Sequence, residues 1–378
     1  MIGKHVVLLK SGAQNRGGLE KYSARIASAF LEKGAKISIL TTGASSSASA
    51  LPARVYSTQT FPWPGFLRLE QFDRFVQRWL KDNPADLIFG MDRNRSQTHL
   101  RAGNGSHAAY LKSRLHTDGA FKHFICTLNP LHRKILQMER EAFENPGLQK
   151  LFTNSNMVKG EILTHYATDP NKIQVIHNGV EWAEMETDFK NWETSRLNHL
   201  QRLDLPKDCF HFLFIGNGYL RKGLGVLLGA LAQLNCADFH LSVIGKDHRI
   251  EEYKALARKL GLKSRVRFFG PQADIRPFYQ IADALAIPSF YDPFANVTIE
   301  ALAMGLFVVS SKSNGGHEIL TPQNGAIIED LLNLESIADA LRAALKKRKT
   351  KMSAAALRNS VAHLDFSHQM QTLIHACE

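Results

Sequence analysis

At 378 residues, with 44% hydrophobic and 22% charged residues, the chain has an ordinary globular composition and exceeds the usual size of a single core, which predicts two domains. Its formal net charge of +12 suits a nucleic acid, an anionic membrane surface or a phosphorylated small molecule equally well. Because the sequence has no helix-turn-helix, zinc-finger, RNP-like or arginine-rich signature, we expect no nucleic-acid partner.

The N-terminus and the cysteines predict a cytoplasmic location. The apolar run Val6–Leu9 is too short for the core of a signal peptide, and no apolar run approaches the ~18 residues that a membrane span needs. The cysteines have neither metal-ligand spacing nor the dense spacing of a disulfide framework, so we expect a reducing compartment. They are Cys126, Cys209, Cys236 and Cys377.

Short apolar strands alternate with amphipathic helices in the first half of the chain, a pattern typical of a parallel sheet covered on both faces. The first helix is predicted at Leu19–Glu32, where apolar residues recur at helical spacing and Gly34 follows as a terminator. A Ser/Ala-rich loop is predicted at 43–50. The predicted strands are His5–Lys10, Lys36–Thr42, Ala85–Met91, Gln149–Asn154 and Lys172–Ile176.

The second half repeats this alternation. Its predicted strands are His211–Gly216, Phe239–Gly245, Arg265–Gly270, Ala284–Pro288 and Phe307–Ser311. Its predicted helices are Leu224–Leu234, Glu251–Leu260, Ile275–Ala282 and Val297–Met304.

The polar stretch Trp182–Asp208 has few apolar positions and is predicted to separate two domains, with the boundary near Val180. The tail from about Ser336 is predicted to be helical. Its basic run, Lys346–Lys351, is interpreted as a solvent-exposed face.

A glycine pair, Gly17-Gly18, lies between the first strand and the first helix. Glycines let a ligand approach the backbone closely, and the helix N-terminus presents free N–H groups to an anion. The segment is not a G-x-G-x-x-G fingerprint, and no suitable acidic residue ends the second strand, so we expect no nicotinamide cofactor. The alternative is a turn that holds glycine for steric reasons alone.

Two adjacent cations, Arg221 and Lys222, follow the strand that ends at Gly216. Ligands of α/β folds bind beyond the carboxyl ends of strands. Arg can form two parallel hydrogen bonds to phosphate oxygens and Lys supplies a point charge, so the pair suits a diphosphate. The alternative is an exposed charge pair in a loop.

The most informative segment is 288–305, where a strand leads into an Asp-Pro-Phe turn and then a helix. Asp292 lies in the turn and Glu300 about one turn into the helix, so both carboxylates can face one site. Carboxylates accept hydrogen bonds from sugar and ribose hydroxyls, and the helix N-terminus between them can hold a phosphate. The alternative is a helix-capping Asp292 and a surface Glu300.

Together these segments resemble the GT-B-fold retaining glycosyltransferases of family four over most of the chain. The family's segments occur in the family's order: a glycine pair, an interdomain connection, a diphosphate-binding Arg/Lys pair, a Glu-x7-Glu motif and a later donor-site loop. Here they are Gly17-Gly18, Val175–Val180, Arg221-Lys222, Asp292-x7-Glu300 and Ser313–Glu318. Asp292 replaces the first Glu, which keeps the charge and shortens its reach by one methylene.

The resemblance implies a GT-B fold, with two Rossmann-like domains facing a central cleft. Residues 1–180 would bind the acceptor and residues 181–355 the nucleotide sugar. The C-terminal helix within 356–378 would pack back toward the N-terminal domain.

Within that family the chain is similar to bacterial lipopolysaccharide core glucosyltransferases, on the strength of 101–111 and Arg221-Lys222-Gly223. Relatives often carry, where this chain has Asn104, an Asp that has been considered as a catalytic base. The neighbouring His107 is then the candidate to orient the acceptor or relay a proton. The alternative is a buried, hydrogen-bonded His107.

The resemblance also implies a nucleotide-sugar donor, of which UDP-glucose is favoured. It implies that the anomeric configuration is retained through front-face attack. Glu300 would hold the ribose and Asp292 the hexose. No metal or other cofactor is implied, and the sequence contains no Asp-x-Asp. The candidate catalytic residues are His107, Arg221, Lys222 and Asp292. The candidates for donor binding are Gly17, Gly18, Arg221, Lys222, Asp292, Phe294, Ala295, Asn296, Val297 and Glu300.

The segment Ala108–Arg140 interleaves basic with apolar and aromatic residues. This pattern suits the anionic inner surface of the cytoplasmic membrane, where a lipid-linked acceptor would be found. The alternative is a pair of amphipathic helices packed on the first sheet. Two rival functions remain open: another GT-B activity, such as a nucleotide-sugar epimerase or a phosphorylase, and a binding homologue without turnover.

Overall fold

The computed structural model describes residues 1–11, 18–43, 52–59, 64–115, 117, 119, 128–234 and 238–378, with only the backbone of 18–21. These residues form two compact units. The N-terminal unit comprises 1–177 and 369–378, and the C-terminal unit comprises 178–368. Gly17 and most of the predicted loop 43–50 lie outside the described residues.

The N-terminal unit is built on a seven-stranded parallel sheet in the order β3-β2-β1-β4-β5-β6-β7. The apolar run Val6–Leu9 of its first strand is buried, as is usual for strands of a parallel sheet covered on both faces. The strands are β1 (His5–Lys10), β2 (Lys36–Thr42), β3 (Arg54–Thr58), β4 (Leu87–Gly90), β5 (His99–Arg101), β6 (Lys150–Thr153) and β7 (Ile173–Val175).

Three of the described helices of this unit begin at polar caps. Ser106 and Ser155 accept hydrogen bonds from the first-turn backbones of α3 and α5, and Asn129 does the same for α4, which has proline at its first position. The helices are α1 (Gly18–Glu32), α2 (Gly65–Asp82), α3 (His107–Ser113), α4 (Pro130–Phe143) and α5 (Asn156–His165).

The C-terminal unit contains a six-stranded parallel sheet in the order β10-β9-β8-β11-β12-β13. In both sheets the first and fourth strands of the unit are neighbours, and the chain proceeds outward from them in opposite directions. This is the strand order of a dinucleotide-binding fold. The strands are β8 (Phe210–Ile215), β9 (Phe239–Ile244), β10 (Val266–Gly270), β11 (Ala284–Ile287), β12 (Phe307–Ser311) and β13 (Gly325–Ile328).

Helices cover this second sheet, and the most apolar of them, α9, has four fully buried leucines because it lies in the core. The helices are α6 (Glu186–Lys190), α7 (Trp192–Arg202), α8 (Tyr219–Lys222), α9 (Leu224–Ala232), α10 (Ile250–Lys259), α11 (Arg276–Ile281), α12 (Asn296–Ala303), α13 (Leu334–Leu345) and α14 (Lys351–Asn359). The last helix, α15 (Phe366–Ala376), begins in the C-terminal unit, and its residues from 369 belong to the N-terminal unit.

Two expectations about the C-terminal unit are wrong. The stretch 182–208 is not a polar separator, because α7 buries Trp192 and Leu200 in this unit. In the basic run 346–351, Lys349 is buried: its Nζ donates to the Tyr279 carbonyl at 3.2 Å and lies 4.5 Å from the centroid of the Trp192 ring.

The expected domain limit at 356 falls inside α14. Residues up to 368 belong to the C-terminal unit because Ala354, Val361 and Leu364 are buried there. A Cβ on Gly305 would lie 2.6 Å from the Ala354 Cβ, so α14 lies directly against the end of α12. No helix among the described residues combines the length and apolar character that a membrane crossing requires.

Two buried histidines predict that acid destabilises the C-terminal unit. The rings of His211 on β8 and His240 on β9 are 5.8 Å apart, and burial lowers the pKa of each to about 4. Their pKa in an unfolded chain is about 6.5, so the unfolded state binds more protons as the pH falls from 6.5 to 4. The two neutral histidines therefore cost the folded state nothing above about pH 6.5. As the pH falls to about 4, each lowers the free energy of unfolding by about 3 kcal/mol.

Urea unfolding at several pH values checks this result. His240→Leu should flatten the decline in the free energy of unfolding between pH 6.5 and 4, whereas the control His248→Gln, at a side chain 86% exposed, should not. Equal pH profiles for His240→Leu and the unmodified chain would contradict the assignment.

Candidate active site

Two connections meet where β8 and β11 lie side by side in the C-terminal sheet. The chain leaves β8 through 216–218 and α8, and it leaves β11 through 288–295 before α12. The strand order reverses between β8 and β11. Ligands of such sheets bind beyond the carboxyl ends of the two strands between which the order reverses. The structure thus brings the second and third sequence motifs together.

Both cations contact the Asp292 carboxylate. Lys222 Nζ lies 2.5 Å from Asp292 Oδ2, and Arg221 Nη1 donates to the same oxygen at 3.1 Å and to the Tyr291 carbonyl at 2.8 Å. Burial raises the pKa of the Asp292 carboxyl, but the charges of Lys222 and Arg221 outweigh burial and hold that pKa below its usual value. The cluster therefore carries one carboxylate between two cations, a net positive charge.

Glycines make room for this arrangement. A Cβ on Gly216 would lie 2.9 Å from the Lys222 Cγ, so glycine lets the lysine side chain lie along the backbone. Gly223 has φ +77°, and its Cβ would lie 1.8 Å from the Pro288 carbonyl oxygen. Its left-handed conformation and the close approach to the second connection both require glycine.

Glu300 projects from α12 and is held by a tyrosine. The hydroxyl of Tyr279, on α11, donates to Glu300 Oε2 at 2.7 Å, and the tyrosine side chain is 1% exposed. Burial raises the pKa of Tyr279 well above its usual value, and the Glu300 charge raises it further. The phenol is therefore a permanent donor that orients the carboxylate. Sequence reasoning missed it, because a single tyrosine in an apolar helix is typical of a core.

Tyr279→Phe is expected to weaken ligand binding at Glu300 while leaving the fold intact. Loss of a hydrogen bond to a charged group should raise the KM for the nucleotide-sugar donor that the sequence predicts about tenfold, with a smaller change in kcat. Steady-state kinetics check this, with Tyr253→Phe as control, since Tyr253 is also buried and contacts the ring of Tyr219. An unchanged KM in Tyr279→Phe would show that Glu300 needs no such support.

A buried asparagine joins the Asp292 turn to the next loop. Asn314 Oδ1 accepts from the backbone N–H groups of Ala295 and Gly316 at 3.0 and 3.1 Å. Its Nδ2 donates to Ser310 Oγ at 2.9 Å. The Asp292 N–H also donates to the Ser313 carbonyl at 2.9 Å. The loop 313–318, which is predicted from the sequence to belong to the same site, therefore stabilises the Asp292 turn through these hydrogen bonds.

The other predicted donor contacts surround this turn. Phe294 and Ala295 are buried, and the Phe294 N–H donates to Asp292 Oδ1 at 3.2 Å. Asn296 is exposed, and its Oδ1 accepts from Asn178 Nδ2 at 2.7 Å. Val297 is half-buried at the first turn of α12.

In the N-terminal unit, Gly18 begins α1 and Asn104 is exposed. His107 makes hydrogen bonds within this unit: its backbone N–H donates to both carboxylate oxygens of Glu139, at 2.9 and 3.0 Å, and its ring Nε2 lies 2.9 Å from His132 Nδ1. Burial, with the Arg93 charge, lowers the pKa of His107 to about 3, so it is neutral near pH 7. These contacts are those of a hydrogen-bonded histidine, and a role toward an acceptor stays a prediction.

Among the described residues, no group of three or more His, Cys, Asp or Glu is arranged to hold a metal ion. Cys209 and Cys377 are buried, unpaired thiols whose pKa burial raises, to about 11 and about 12 respectively. Neither is placed to act as a thiolate near pH 7.

Two family models together match most of the chain. Residues 16–183 match the model described as Glycosyltransferase Family 4, and residues 195–359 match the model described as Glycosyl transferases group 1. The first match contains β2 to β7 and the second contains β8 to β13.

Several curated proteins are similar. Lipopolysaccharide glucosyltransferase WaaG of Escherichia coli (strain K12) is 27% identical over 293 residues, which are 76% of this chain and 75% of that protein. Lipopolysaccharide core biosynthesis glycosyltransferase LpsE of Rhizobium meliloti (strain 1021) is 32% identical over 37% of this chain and 41% of its own. D-inositol 3-phosphate glycosyltransferase of Salinispora tropica is 29% identical over 48% of this chain and 40% of that protein.

Solved structures share the fold at lower identity. The crystal structure of WaaG matches with a TM-score of 0.76 and 22% identity, over 97% of this chain and 98% of that one. Anabaena Alr3699/HepE in complex with UDP and glucose matches with a TM-score of 0.68 and 19% identity, over 99% of both chains. These matches confirm the predicted fold class, two Rossmann-like domains of the GT-B type.

Proposed function

We propose that this chain, which belongs to the GT-B glycosyltransferases, transfers a hexose from a nucleoside diphosphate sugar to a hydroxyl group of a glycan acceptor. The proposed donor is UDP-glucose and the proposed acceptor is a lipopolysaccharide core or a related glycan. The donor site is the cluster at the carboxyl ends of β8 and β11.

The observation that carries this proposal is the contact of two cations with one buried carboxylate beside an oriented Glu300. Lys222 and Arg221 supply the positive charge that a leaving nucleoside diphosphate needs. Preorganised charge of this kind is usually the largest single catalytic contribution, at about 3–4 kcal/mol for one group. Glu300, fixed by Tyr279, accepts hydrogen bonds from the ribose hydroxyls.

Asp292 has two partners in turn. Its carboxylate neutralises part of the Lys222 and Arg221 charge. When the diphosphate binds, its oxygens replace the carboxylate on the cations, and Asp292 becomes the acceptor for hydroxyls of the hexose. The shorter Asp in place of Glu places that contact closer to the turn.

We propose that the anomeric configuration is retained through front-face attack, with the departing phosphate taking the proton of the acceptor hydroxyl. This route needs no protein nucleophile and no metal, so transfer is expected to persist in excess EDTA. The relatives support the choice of donor: one is described as a lipopolysaccharide glucosyltransferase, and another binds UDP and glucose.

The acceptor is proposed to reach the protein at an anionic membrane surface, on the cytoplasmic side. Within the segment 108–140, Leu115 and Leu128 are large exposed apolar residues, at 43% and 51%. Other members pack internally: Leu111 is buried and Lys134 forms an ion pair with Glu70. Sedimentation with phosphatidylglycerol vesicles, but not with phosphatidylcholine vesicles, tests this contact.

The activity is tested by incubating the protein with a panel of UDP-, GDP- and ADP-sugars and measuring released nucleoside diphosphate. Each donor is tested alone, with delipidated lipopolysaccharide core and with inositol 3-phosphate, since both acceptor classes appear among the relatives' descriptions. Release from one donor, stimulated by one acceptor and lost in Glu300→Ala, is the expected result. NMR of the product gives the anomeric configuration.

A second candidate is a binding homologue without turnover, which the departures at Asn104 and Asp292 favour. It predicts UDP binding with no release from any donor. An epimerase would instead convert the donor without an acceptor, and free sugar would appear in the same assay.

A further inference from the structure

Two buried cations flank α14 in the C-terminal unit. Lys349 lies just before this helix and Arg358 lies in its last turn, and the two residues are 6% and 3% exposed. The helix between them begins at a capping box, in which Thr350 and Ser353 exchange hydrogen bonds. One well-capped helix therefore sets the distance between the two cations.

Arg358 is bound to the C-terminal end of α12. Its Nη1 donates to the carbonyl of Ala303, the last residue of that helix, at 2.7 Å, and its Nη2 donates to the Trp182 carbonyl at 2.5 Å. Its Cζ lies 4.1 Å from the centroid of the Trp182 ring and 4.9 Å from that of Phe189. Carbonyls of a last helical turn have no partner within the helix, and a cation there also interacts favourably with the helix dipole. Arg358 therefore fixes the end of α12.

Lys349 makes the corresponding contacts with α11. Its Nζ donates to the Tyr279 carbonyl at 3.2 Å and lies 4.5 Å from the centroid of the Trp192 ring. Its backbone N–H donates to Asp283 Oδ1, just beyond the end of α11, at 3.2 Å. Each cation thus lies over a tryptophan ring and donates to a backbone carbonyl of a neighbouring helix.

These two helices carry the two partners of one hydrogen bond. Tyr279 on α11 donates to Glu300 on α12 at 2.7 Å. Lys349 contacts the backbone of Tyr279 itself, and Arg358 contacts α12 about one turn beyond Glu300. From opposite ends of α14, the cations therefore hold the two helices whose spacing sets the direction of the Glu300 carboxylate.

Stability alone does not account for these cations. Burial lowers the pKa of both side chains, that of Lys349 well below its usual value, so their charged forms are less stable in the folded chain than in water. The acceptors of both side chains are uncharged carbonyls, whereas buried charges are usually paired with opposite charges. Hydrogen bonds are directional, so such donors fix the position of a backbone in a way that apolar side chains do not.

We propose that Lys349 and Arg358 are positioning residues for Glu300, and that the affinity of the site for ribose hydroxyls depends on them. The inference rests on the proposed function, in which Glu300 accepts hydrogen bonds from the ribose. Without either cation, α11 or α12 loses a hydrogen bond that holds its backbone in place, and the carboxylate no longer meets the hydroxyls. Arg221 and Lys222 lie on α8, so binding of the diphosphate itself should not depend on this support.

Arg267 provides a matched control. It lies on β10, and its Nη1 donates to the carbonyls of Leu203 and Asp204, each at 2.8 Å. Its Cζ lies 5.4 Å from the centroid of the Phe269 ring. Arg267 therefore makes the same kinds of contact as Arg358, but with β10 and the end of α7 in place of α12.

The test measures the Kd of UDP and of 2′,3′-dideoxy-UDP, which lacks the ribose hydroxyls, by titration calorimetry. The unmodified protein should bind UDP about 10–100-fold more tightly, because its hydroxyls donate to a charged group. Lys349→Met and Arg358→Met should each reduce this preference to about threefold or less, as Glu300→Ala does, and leave the Kd of dideoxy-UDP unchanged. Arg267→Met should keep the full preference. Arg358→Lys, which has no fork to span two carbonyls, should retain part of it.

Both Kd values come from one preparation, so a fraction of unfolded protein does not alter their ratio. An unchanged preference in Lys349→Met or Arg358→Met overturns the role of that residue. Equally weakened binding of both ligands overturns the inference, because the effect would then be on the whole unit, and so does loss of the preference in Arg267→Met.

The outcome for the unmodified protein separates this inference from the proposed function. Equal binding of the two ligands, or no binding of UDP, overturns the inference together with the role assigned to Glu300. Absence of sugar transfer by a protein that does prefer UDP refutes the proposed transfer alone, since the calorimetric comparison does not depend on turnover.

Discussion

Replacing Lys222 with alanine is expected to lower kcat by about 10²–10³-fold, which corresponds to about 3–4 kcal/mol of transition-state stabilisation. Its ammonium group is buried and lies 2.5 Å from Asp292 Oδ2. In the proposed function, an oxygen of the leaving phosphate would take the place of this carboxylate oxygen. Charge on the leaving group develops in the transition state, so the loss should appear mainly in kcat. Arg221 remains in Lys222→Ala and accounts for residual activity.

Lys254→Ala is the control for this variant. Lys254 also pairs with a carboxylate, Glu251, at 2.8 Å, but on the exposed surface of α10. Steady-state kinetics of both variants, with UDP binding measured in parallel, decide the result. A Lys222→Ala protein that binds UDP normally and retains kcat within threefold would rule out the assigned role.

Replacing Gly223 with alanine is expected to destabilise the C-terminal unit by about 2–5 kcal/mol and to abolish transfer. The residue has φ +77°, and the added Cβ would lie 1.8 Å from the Pro288 carbonyl oxygen, which is backbone and cannot rotate away. Relieving this overlap separates the connection after β8 from the one after β11. Lys222 and Asp292 would then no longer meet.

Gly218→Ala separates the two causes. Gly218 also has a left-handed backbone conformation, with a similar φ of +73°, but nothing lies within 4 Å of its added Cβ. The Gly218→Ala variant should lose only about 1–2 kcal/mol of the free energy of unfolding, because alanine is strained in the left-handed conformation, and it should retain most of its activity. Thermal unfolding and kinetics below the transition distinguish the two, and equal losses in both variants would contradict the steric explanation.

The fold and the donor site could be predicted largely from local signals. Buried parallel strands are continuous apolar runs, so β1, β2 and β12 have the bounds expected from the sequence. Arg221-Lys222 and Asp292-x7-Glu300 are short motifs, and the structure places both at the same sheet edge because each directly follows a strand. The contact of Lys222 with Asp292 follows from sheet order, which the motifs do not specify.

Other features depend on contacts between residues distant in sequence. The sequence does not predict β3 and β13, which lie at sheet edges where less of each strand is buried, or β5, which is only three residues long. Lys349 was assigned to solvent because a run of lysines is usually exposed, yet α7 and α11 enclose it. The role of Tyr279 also depends on a distant contact: a single tyrosine in such a helix is typical of a core, and its partner Glu300 lies 21 residues away.

The contact of Asp292 with Lys222 also bears on how the proposed reaction cycle would end. A nucleoside diphosphate held by two cations leaves slowly if nothing replaces it, and slow product release often limits turnover. Here a carboxylate of the same chain stands ready at 2.5 Å to take back the ammonium group as soon as the diphosphate loosens. Under the proposed function, Asp292 would act as an internal competitor of the product, and weaker binding of the donor would accompany faster release of the nucleoside diphosphate.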